Sequence, residues 1–145
     1  MVYQKTIEKS GGGFSGIRDM GGIECIIAFI QNDEYYPDFT TKLTYLVHRF
    51  CSGHFFDDGN KRIALTLGVY FLHQNNHNWA AVTFMKRMEA IVYHIAASHI
   101  HEDLLFRIMT CIVECSDFDE ALKIDIATAM ANGEVGFDFD QQNEE

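Results

Sequence analysis

Apolar residues recur at helical spacing along most of the chain, which predicts a protein built from α-helices. The first two predicted helices cover about residues 22–31 and about residues 40–53, the second with Thr40 or Thr41 placed to cap it. Their apolar positions are Ile23, Ile26, Ile27 and Ile30 in the first, and Leu43, Leu46, Val47, Phe50 and Cys51 in the second. Each set forms a stripe, so both helices are expected to pack against a common core.

The most apolar stretch of the chain follows these two helices. Eight of the ten residues from Ile63 to Leu72 are apolar, within a helix predicted to run from about Asn60 to Gln74. A helix that is apolar on nearly all sides must be covered by neighbours. We therefore expect this helix to be surrounded by the others.

Three further helices are predicted in the second half of the chain. One begins at Thr83 with Met85, Met88, Ile91, Val92 and Ile95 facing inward; the next holds Leu104, Leu105, Ile108, Ile112 and Val113; the last covers about Asp119 to Met130. Gly133 and Gly136 mark its end, and an acidic, frayed tail is expected over about residues 137–145. Residues 1–10 are predicted to form a short strand or a fragment of helix before a triple glycine. The prediction is an all-α helical bundle forming one domain over residues 1–145.

The length, the net charge and the apolar segments of the chain exclude several classes of protein. With 145 residues, 48% of them hydrophobic, the chain is long enough for one domain with its own core. A net charge of −10 disfavours direct nucleic-acid binding, because phosphate backbones need a basic surface. The N-terminus lacks the apolar run of a signal peptide, and no apolar segment reaches membrane-spanning length. A cytoplasmic protein with no membrane partner is expected.

The cysteines add little chemistry. Cys25, Cys51, Cys111 and Cys115 lie in apolar helical surroundings, which predicts free core thiols in a reducing compartment. Cys111 and Cys115 are one helical turn apart and could form half of a metal site, with His99 and His101 nearby. No second ligand pair has a recognisable spacing, so no metal site is expected there.

The chemistry concentrates in residues 54–62, immediately before the most apolar helix. This stretch holds a histidine, two carboxylates, a glycine, an asparagine and two cations. Free N–H groups at a helix start bind anions, and Lys61 and Arg62 add full charges there. The alternative is an ordinary Asp-Gly-Asn turn followed by a solvated first turn. Cations are unfavourable at a helix start unless an anion compensates, which favours a phosphate site.

Written as His-x-Phe-x-Asp-Gly-Asn-Lys-Arg, this segment resembles the signature motif of the Fic/Doc family. Residues 12–24 also resemble the Gly-Gly…Gly-x-Arg-Asp…Glu lead-in of Doc-like members, and the resemblance covers roughly residues 11–77. In the nucleotidyl-transferring Fic branch, Gly follows the Asn and a second Arg stands three residues after the first. Lys61 and Leu65 occupy those positions here, which favours the Doc branch.

The resemblance implies transfer from ATP to a hydroxyl of a target protein. His54 would take the proton of the attacking hydroxyl. From the residues alone, a histidine stabilised as a cation at a helix C-terminus is the alternative. Asp58 would hold Mg²⁺, or merely shape the turn. Phe56 would anchor the loop in the core, and Asp57 would face solvent.

The remaining motif residues would bind the nucleotide. Gly59 would let the backbone approach the phosphates closely. Asn60 would cap the following helix and also donate to a phosphate oxygen. Lys61 and Arg62 would neutralise the phosphates, Arg62 through two parallel hydrogen bonds. Lys61 would crowd the phosphate tail that AMP transfer requires, so the resemblance implies delivery of the terminal phosphate.

The sequence alone is compatible with three other functions. The same site could transfer AMP, or the fold could serve as a non-catalytic nucleotide- or anion-binding module. A metal nuclease using His54, Asn60 and His77 is a third reading, disfavoured by the acidic charge.

The resemblance also implies partners. The target of the Doc branch is a translation elongation factor. Family members are often silenced by an internal Ser/Thr-x-x-x-Glu-Gly/Asn element. The candidates at residues 98–102, 110–114 and 116–120 are followed by Asp103, Cys115 and Ala121, so none completes it. A small separate antitoxin protein is therefore expected, with this chain as the toxin.

Overall fold

The computed structural model describes residues 16–34 and 38–142, with side chains as far as residue 132. Its helices are α1 (Met20–Ile30), α2 (Phe39–Ser52), α3 (Asn60–Gln74), α4 (Ala81–Ala96), α5 (Glu102–Val113) and α6 (Glu120–Gln142). A short 3₁₀ turn, Asn78–Ala80, precedes α4. Over the described ranges there is no β-strand, only one isolated β-bridge between Ile17 and Phe56. The predicted all-α class is confirmed.

Aspartate side chains cap the N-termini of the first two helices. Asp19 caps α1 by accepting the Gly22 N–H at 2.8 Å. Asp38, in an extended conformation, caps α2 by accepting the Thr40 N–H at 3.0 Å. The predicted cap at Thr40 or Thr41 is wrong by two or three residues, because the Asp38 carboxylate captures both the Thr40 N–H and the Thr41 hydroxyl.

The buried centre of the bundle is α2, which packs against α1, α3, α4 and α5. Its buried residues are Leu43, Thr44, Tyr45, Leu46, Val47, Phe50 and Cys51. The predicted stripe is therefore correct, and it continues around more of the helix than the spacing indicated. Because α2 ends at the motif loop, that loop is attached to the most firmly packed element of the molecule.

The helix α3 starts at Asn60 and ends at Gln74, as predicted, but it is not surrounded. Only Ile63, Ala64, Gly68 and Leu72 are buried, on the faces towards α2 and α4. Gly68 allows α4 to approach closely, since a Cβ there would overlap the ring of Phe84. The expectation of burial on all sides is wrong for the remaining face.

That face borders an apolar groove of about 410 Å³ between α1, α2 and α3. Ile27 and Tyr70, on its walls, are 43% and 52% exposed. The apolar residues of α3 that the sequence assigned to a protein interior therefore line an open groove instead. Met85 of α4, also predicted to face inward, is exposed.

Two other expectations change. Only Cys51 is buried, whereas Cys25 and Cys115 are exposed. Helix α6 does not stop near Met130 but continues past both glycines to Gln142, because glycine weakens a helix by only about 1 kcal/mol relative to alanine.

Residues 1–15, with the predicted N-terminal element and triple glycine, lie outside the described residues. No helix in the described part of the chain combines the length and apolarity needed to cross a membrane.

Candidate active site

The motif loop, residues 53–59, joins the C-terminus of α2 to the N-terminus of α3. A Cβ on Gly53 would lie 2.6 Å from the Arg49 carbonyl oxygen and 2.5 Å from the Phe55 ring, so the turn requires glycine. His54 follows with φ of 51°, in the left-handed region that non-glycine residues rarely adopt. Asn76, Ser98 and Cys115 adopt the same region just after α3, α4 and α5, so a left-handed residue is a common helix ending in the described chain. At His54 this conformation turns the backbone out of α2 and into the motif loop.

Two buried phenylalanines fix the loop. Phe55 and Phe56 are 7% and 4% exposed, and their ring centroids lie 5.4 and 6.4 Å from that of Phe50 on α2. The expected anchoring role of Phe56 is confirmed, and Phe55 shares it. With both rings held inside, the exposed side chain of His54 projects from a fixed backbone at the end of α2.

Asn60 braces the loop rather than capping the helix. Its Nδ2 donates to the Phe56 carbonyl at 3.0 Å, and its Oδ1 accepts the Phe56 N–H at 3.2 Å. The N-cap is Gly59, with φ of 78°. The prediction that Asn60 caps α3 is therefore wrong, because Asn60 is already the first helical residue and its amide is committed to Phe56. One Nδ2 hydrogen still remains for another acceptor.

The N-terminus of α3 is open to an anion. No side chain caps it, and its first turn contains no acidic residue. The first N–H groups of a helix have no partner within the helix. Lys61 and Arg62 are exposed in that turn, and neither forms an ion pair within the described residues. Two uncompensated cations thus lie at the positive end of a helix dipole, as the sequence predicted.

Asp58 lies just before this turn. One of its oxygens accepts the Gly59 N–H at 2.7 Å, and the side chain is exposed. No group of three or more metal-binding side chains exists within the described residues, which includes the neighbourhood of Cys111 and Cys115. Mg²⁺ commonly needs only one or two protein carboxylates, with substrate phosphates and water supplying the other ligands. Asp58 fits that requirement as a single ligand.

Asp57 is not simply solvent-facing, as the sequence had suggested. Its Oδ1 lies 3.2 Å from Nε of Arg18, and its Oδ2 accepts the Gly16 N–H at 3.1 Å. Sequence reasoning missed this pairing, although the Gly-x-Arg-Asp lead-in was its visible signal.

Cys51, at the end of α2, can be excluded as a nucleophile. Burial raises the pKa of its thiol to about 12, and the charge of Lys61 offsets this only in part. A thiol in that state supplies almost no thiolate at neutral pH.

His77 is not part of the site. It follows the far end of α3, and its ring stacks on Phe39 with centroids 4.2 Å apart. A helix rises about 1.5 Å per residue, so the length of α3 separates His77 from Asn60 by roughly 20 Å. The metal nuclease reading, which required the two together with His54, is wrong.

Comparison with known proteins supports the family that the motif resembles. The Fic/DOC family model matches residues 1–72. A curated relative, "Protein kinase doc" of Escherichia phage P1, is 40% identical over 68 residues, which are 44% of this chain and 53% of the relative. The matched part thus spans about half the length of that relative. No solved structure matches the chain.

The family match covers α1, α2, the motif loop and nearly all of α3, the elements that build the site. The helical fold and the open helix start agree with it. This chain belongs to the Fic/Doc family.

Proposed function

We propose that this chain is a Doc-like transferase that moves the terminal phosphate of ATP to a hydroxyl of a target protein. One observation carries the proposal: an exposed His54 and an uncapped helix start with two cations outside any ion pair lie at opposite ends of the motif loop. A base and an anion site held on a common rigid frame are what phosphoryl transfer requires, since its catalysis is mostly positioning and charge stabilisation.

Each residue has a task in this mechanism. His54 takes the proton of the target hydroxyl as that oxygen attacks the γ-phosphorus of ATP, and the bond from this phosphorus to the β,γ-bridging oxygen breaks to release ADP. The N–H groups at the start of α3, with Gly59 leaving room for close approach, bind the phosphate oxygens. Lys61 and Arg62 offset the negative charge of the phosphates. Asn60 keeps the loop in place and offers one remaining N–H to a phosphate oxygen.

Asp58 would hold Mg²⁺, which when bound neutralises phosphate charge. The Asp58 oxygen bonded to Gly59 N–H keeps the carboxylate at the edge of the anion site. Its other oxygen would be the ligand of the cation.

Two positions support terminal phosphate transfer over AMP transfer. Lys61 occupies the place where a glycine would leave room for a phosphate tail, and Leu65 stands where a second arginine would bind it. Leu65 packs against the core and offers no donor one turn into α3. AMP transfer keeps His54 and Asp58 in the same roles and is the alternative reading of the site.

The proposed setting is a cytoplasmic toxin–antitoxin pair, with a translation elongation factor as target and a small antitoxin as inhibitor. The incomplete inhibitory elements support a separate inhibitor. An acidic segment of that partner would pair with Lys61 and Arg62 as the phosphates do.

The test uses purified protein, ATP, Mg²⁺ and a purified elongation factor, with intact-mass spectrometry of the factor. A gain of one phosphate is expected; a gain of AMP would establish the alternative. Expression of the parent should arrest growth, and the His54→Ala variant should not. Equal toxicity of the variant would separate the harm from transfer chemistry and defeat the proposal.

A further inference from the structure

A short extended segment, residues 16–19, lies along the motif loop. Arg18 N–H and Asp19 N–H both donate to the Phe55 carbonyl, at 2.7 and 3.2 Å, and Asp57 N–H donates to the Gly16 carbonyl at 2.9 Å. Ile17 and Phe56 form a single antiparallel bridge between these contacts. The loop is therefore paired, over residues 55–57, with a segment some forty positions earlier in the chain.

A side-chain clamp adds to this backbone pairing. Asp57 uses one carboxylate oxygen for Nε of Arg18 at 3.2 Å and the other for the Gly16 N–H at 3.1 Å. Gly16 permits the approach, since a Cβ there would already lie 3.1 Å from that second oxygen. The Asp57 carboxylate thus joins the loop to residues 16–18 through a side chain, in addition to the backbone pairing.

The clamp acts on the part of the loop that nothing else holds in the described structure. Phe56 is held by burial and by its two hydrogen bonds to the Asn60 amide. Gly59 is held as the N-cap of α3. Between them, Asp58 is bonded only to the neighbouring Gly59 N–H. The position of Asp58 therefore depends on Asp57, which is held by the Gly16 backbone and, at its other carboxylate oxygen, by Arg18.

The pair is poorly suited to a role in global stability. Arg18 and Asp57 side chains are 61% and 53% exposed, and exposed ion pairs contribute little to folding. A small shift of a loop that carries both a base and a metal ligand has a much larger effect on rate. We infer that Arg18 is a positioning residue that, through Asp57, fixes the motif loop for phosphate transfer; this rests on the proposed function.

The test compares the steady-state kinetics of the parent with Arg18→Gln, Asp57→Asn and the double variant. Each single variant should lower kcat about tenfold or more, because misplacement by about 1 Å can cost a hundredfold. The KM for ATP should change by a smaller factor than kcat, since Lys61, Arg62 and the N–H groups at the start of α3 are untouched. The double variant should be no slower than the slower single variant, because one contact cannot be lost twice. Arg18→Lys, which keeps the charge without the planar guanidinium, should recover part of the rate.

The matched control is Arg107→Gln. Arg107 pairs with Asp125 at 2.5 Å between α5 and α6, with both side chains about half exposed. The Arg107→Gln substitution removes an ion pair of the same kind from helices that carry no motif residue. The kcat of this variant should match that of the parent. A tenfold loss in this control would make the effect of Arg18 non-specific and overturn the inference.

Three kinetic results would also overturn it: kcat within twofold of the parent in Arg18→Gln, multiplicative losses in the double variant, or a rise in ATP KM as large as the fall in kcat. The last would make Arg18 a nucleotide ligand. A parent without transfer activity would count against the proposed function alone. Amide hydrogen exchange then decides the inference: the Asp57 N–H should exchange about tenfold faster in Arg18→Gln. Unchanged protection would show that Arg18 does not hold the loop.

Discussion

The side-chain amide of Asn60 pairs with both backbone polar groups of Phe56. It donates to the carbonyl at 3.0 Å and accepts the N–H at 3.2 Å, in the manner of a neighbouring β-strand. Phe56 is only 4% exposed, so water has little access to replace these bonds. The first residue of α3 thereby fixes the loop that carries His54, so the proposed anion site and the proposed base belong to one rigid unit.

Replacing Asn60 by alanine should remove both bonds and lower the free energy of unfolding by about 1–3 kcal/mol, at roughly 0.5–1.5 kcal/mol for each bond. Urea denaturation measures the loss. Asn75→Ala is the control, because Asn75 makes one exposed bond, to the Phe71 carbonyl, at the other end of the same helix. Equal losses in the two variants would contradict the bracing role of Asn60.

Arg62→Gln should weaken ATP binding about tenfold, because a charged hydrogen-bond donor to phosphate is lost. Isothermal titration measures the affinity, which should also fall with added salt in the parent. Lys86→Gln removes the same charge from an exposed position on α4 and should leave the affinity unchanged. A matching loss in that control would mean that ATP responds only to net charge.

The sequence predicted what depends on periodicity and on local motif chemistry. The bounds of α3, the buried stripe of α2 and the position of Lys61 and Arg62 at a helix start all follow from such local patterns. It failed where a side chain had two competing partners. Asn60 could cap a helix or brace a loop, and only the folded position of Phe56 decides between them.

Long-range contacts were also out of reach. The clamp between Arg18 and Asp57 joins residues 39 positions apart in the sequence, so the Gly-x-Arg-Asp segment marks Arg18 without naming its partner. The exposed face of α3 is a similar case, because an apolar stretch does not say whether a neighbour covers it. The groove beside Ile27 and Tyr70 is lined by three helices, so it depends on how α1, α2 and α3 pack.

Gly68→Ala should destabilise the protein by about 1–3 kcal/mol through overpacking, although alanine is the better helix former. The added methyl group would overlap the Phe84 ring, which is fully buried and cannot move aside. Gly21→Ala serves as the control, since its Cβ would meet only an Asp19 oxygen at 3.7 Å. Thermal or urea unfolding that ranks Gly21→Ala as the more damaging change would refute the packing described for α3 and α4.

His48 should make stability sensitive to acid. Burial lowers the pKa of its imidazole below the ordinary 6.5, with Arg49 and His101 acting in the same direction and Glu102 opposing. Below about pH 6.5 the unfolded chain therefore binds a proton more readily than the folded protein. The free energy of unfolding should fall as the pH drops from there through the folded pKa.

Denaturation curves over that pH range, for the parent and for His48→Gln, test this. The variant should show the shallower dependence, because it lacks the group that must take up a proton on unfolding. An identical slope in both proteins would assign the acid sensitivity to other groups.

The central claim is that His54 drives transfer of the terminal phosphate from the site at the start of α3. The most direct measurement incubates the chain with lysate and ATP labelled at either the α- or the γ-phosphate. Protein should become labelled from γ-labelled ATP only, and His54→Ala or His54→Asn, the latter tolerating the left-handed backbone, should reduce labelling by about 10²- to 10⁴-fold. Labelling from α-labelled ATP, or unchanged labelling by the two variants, would contradict the claim.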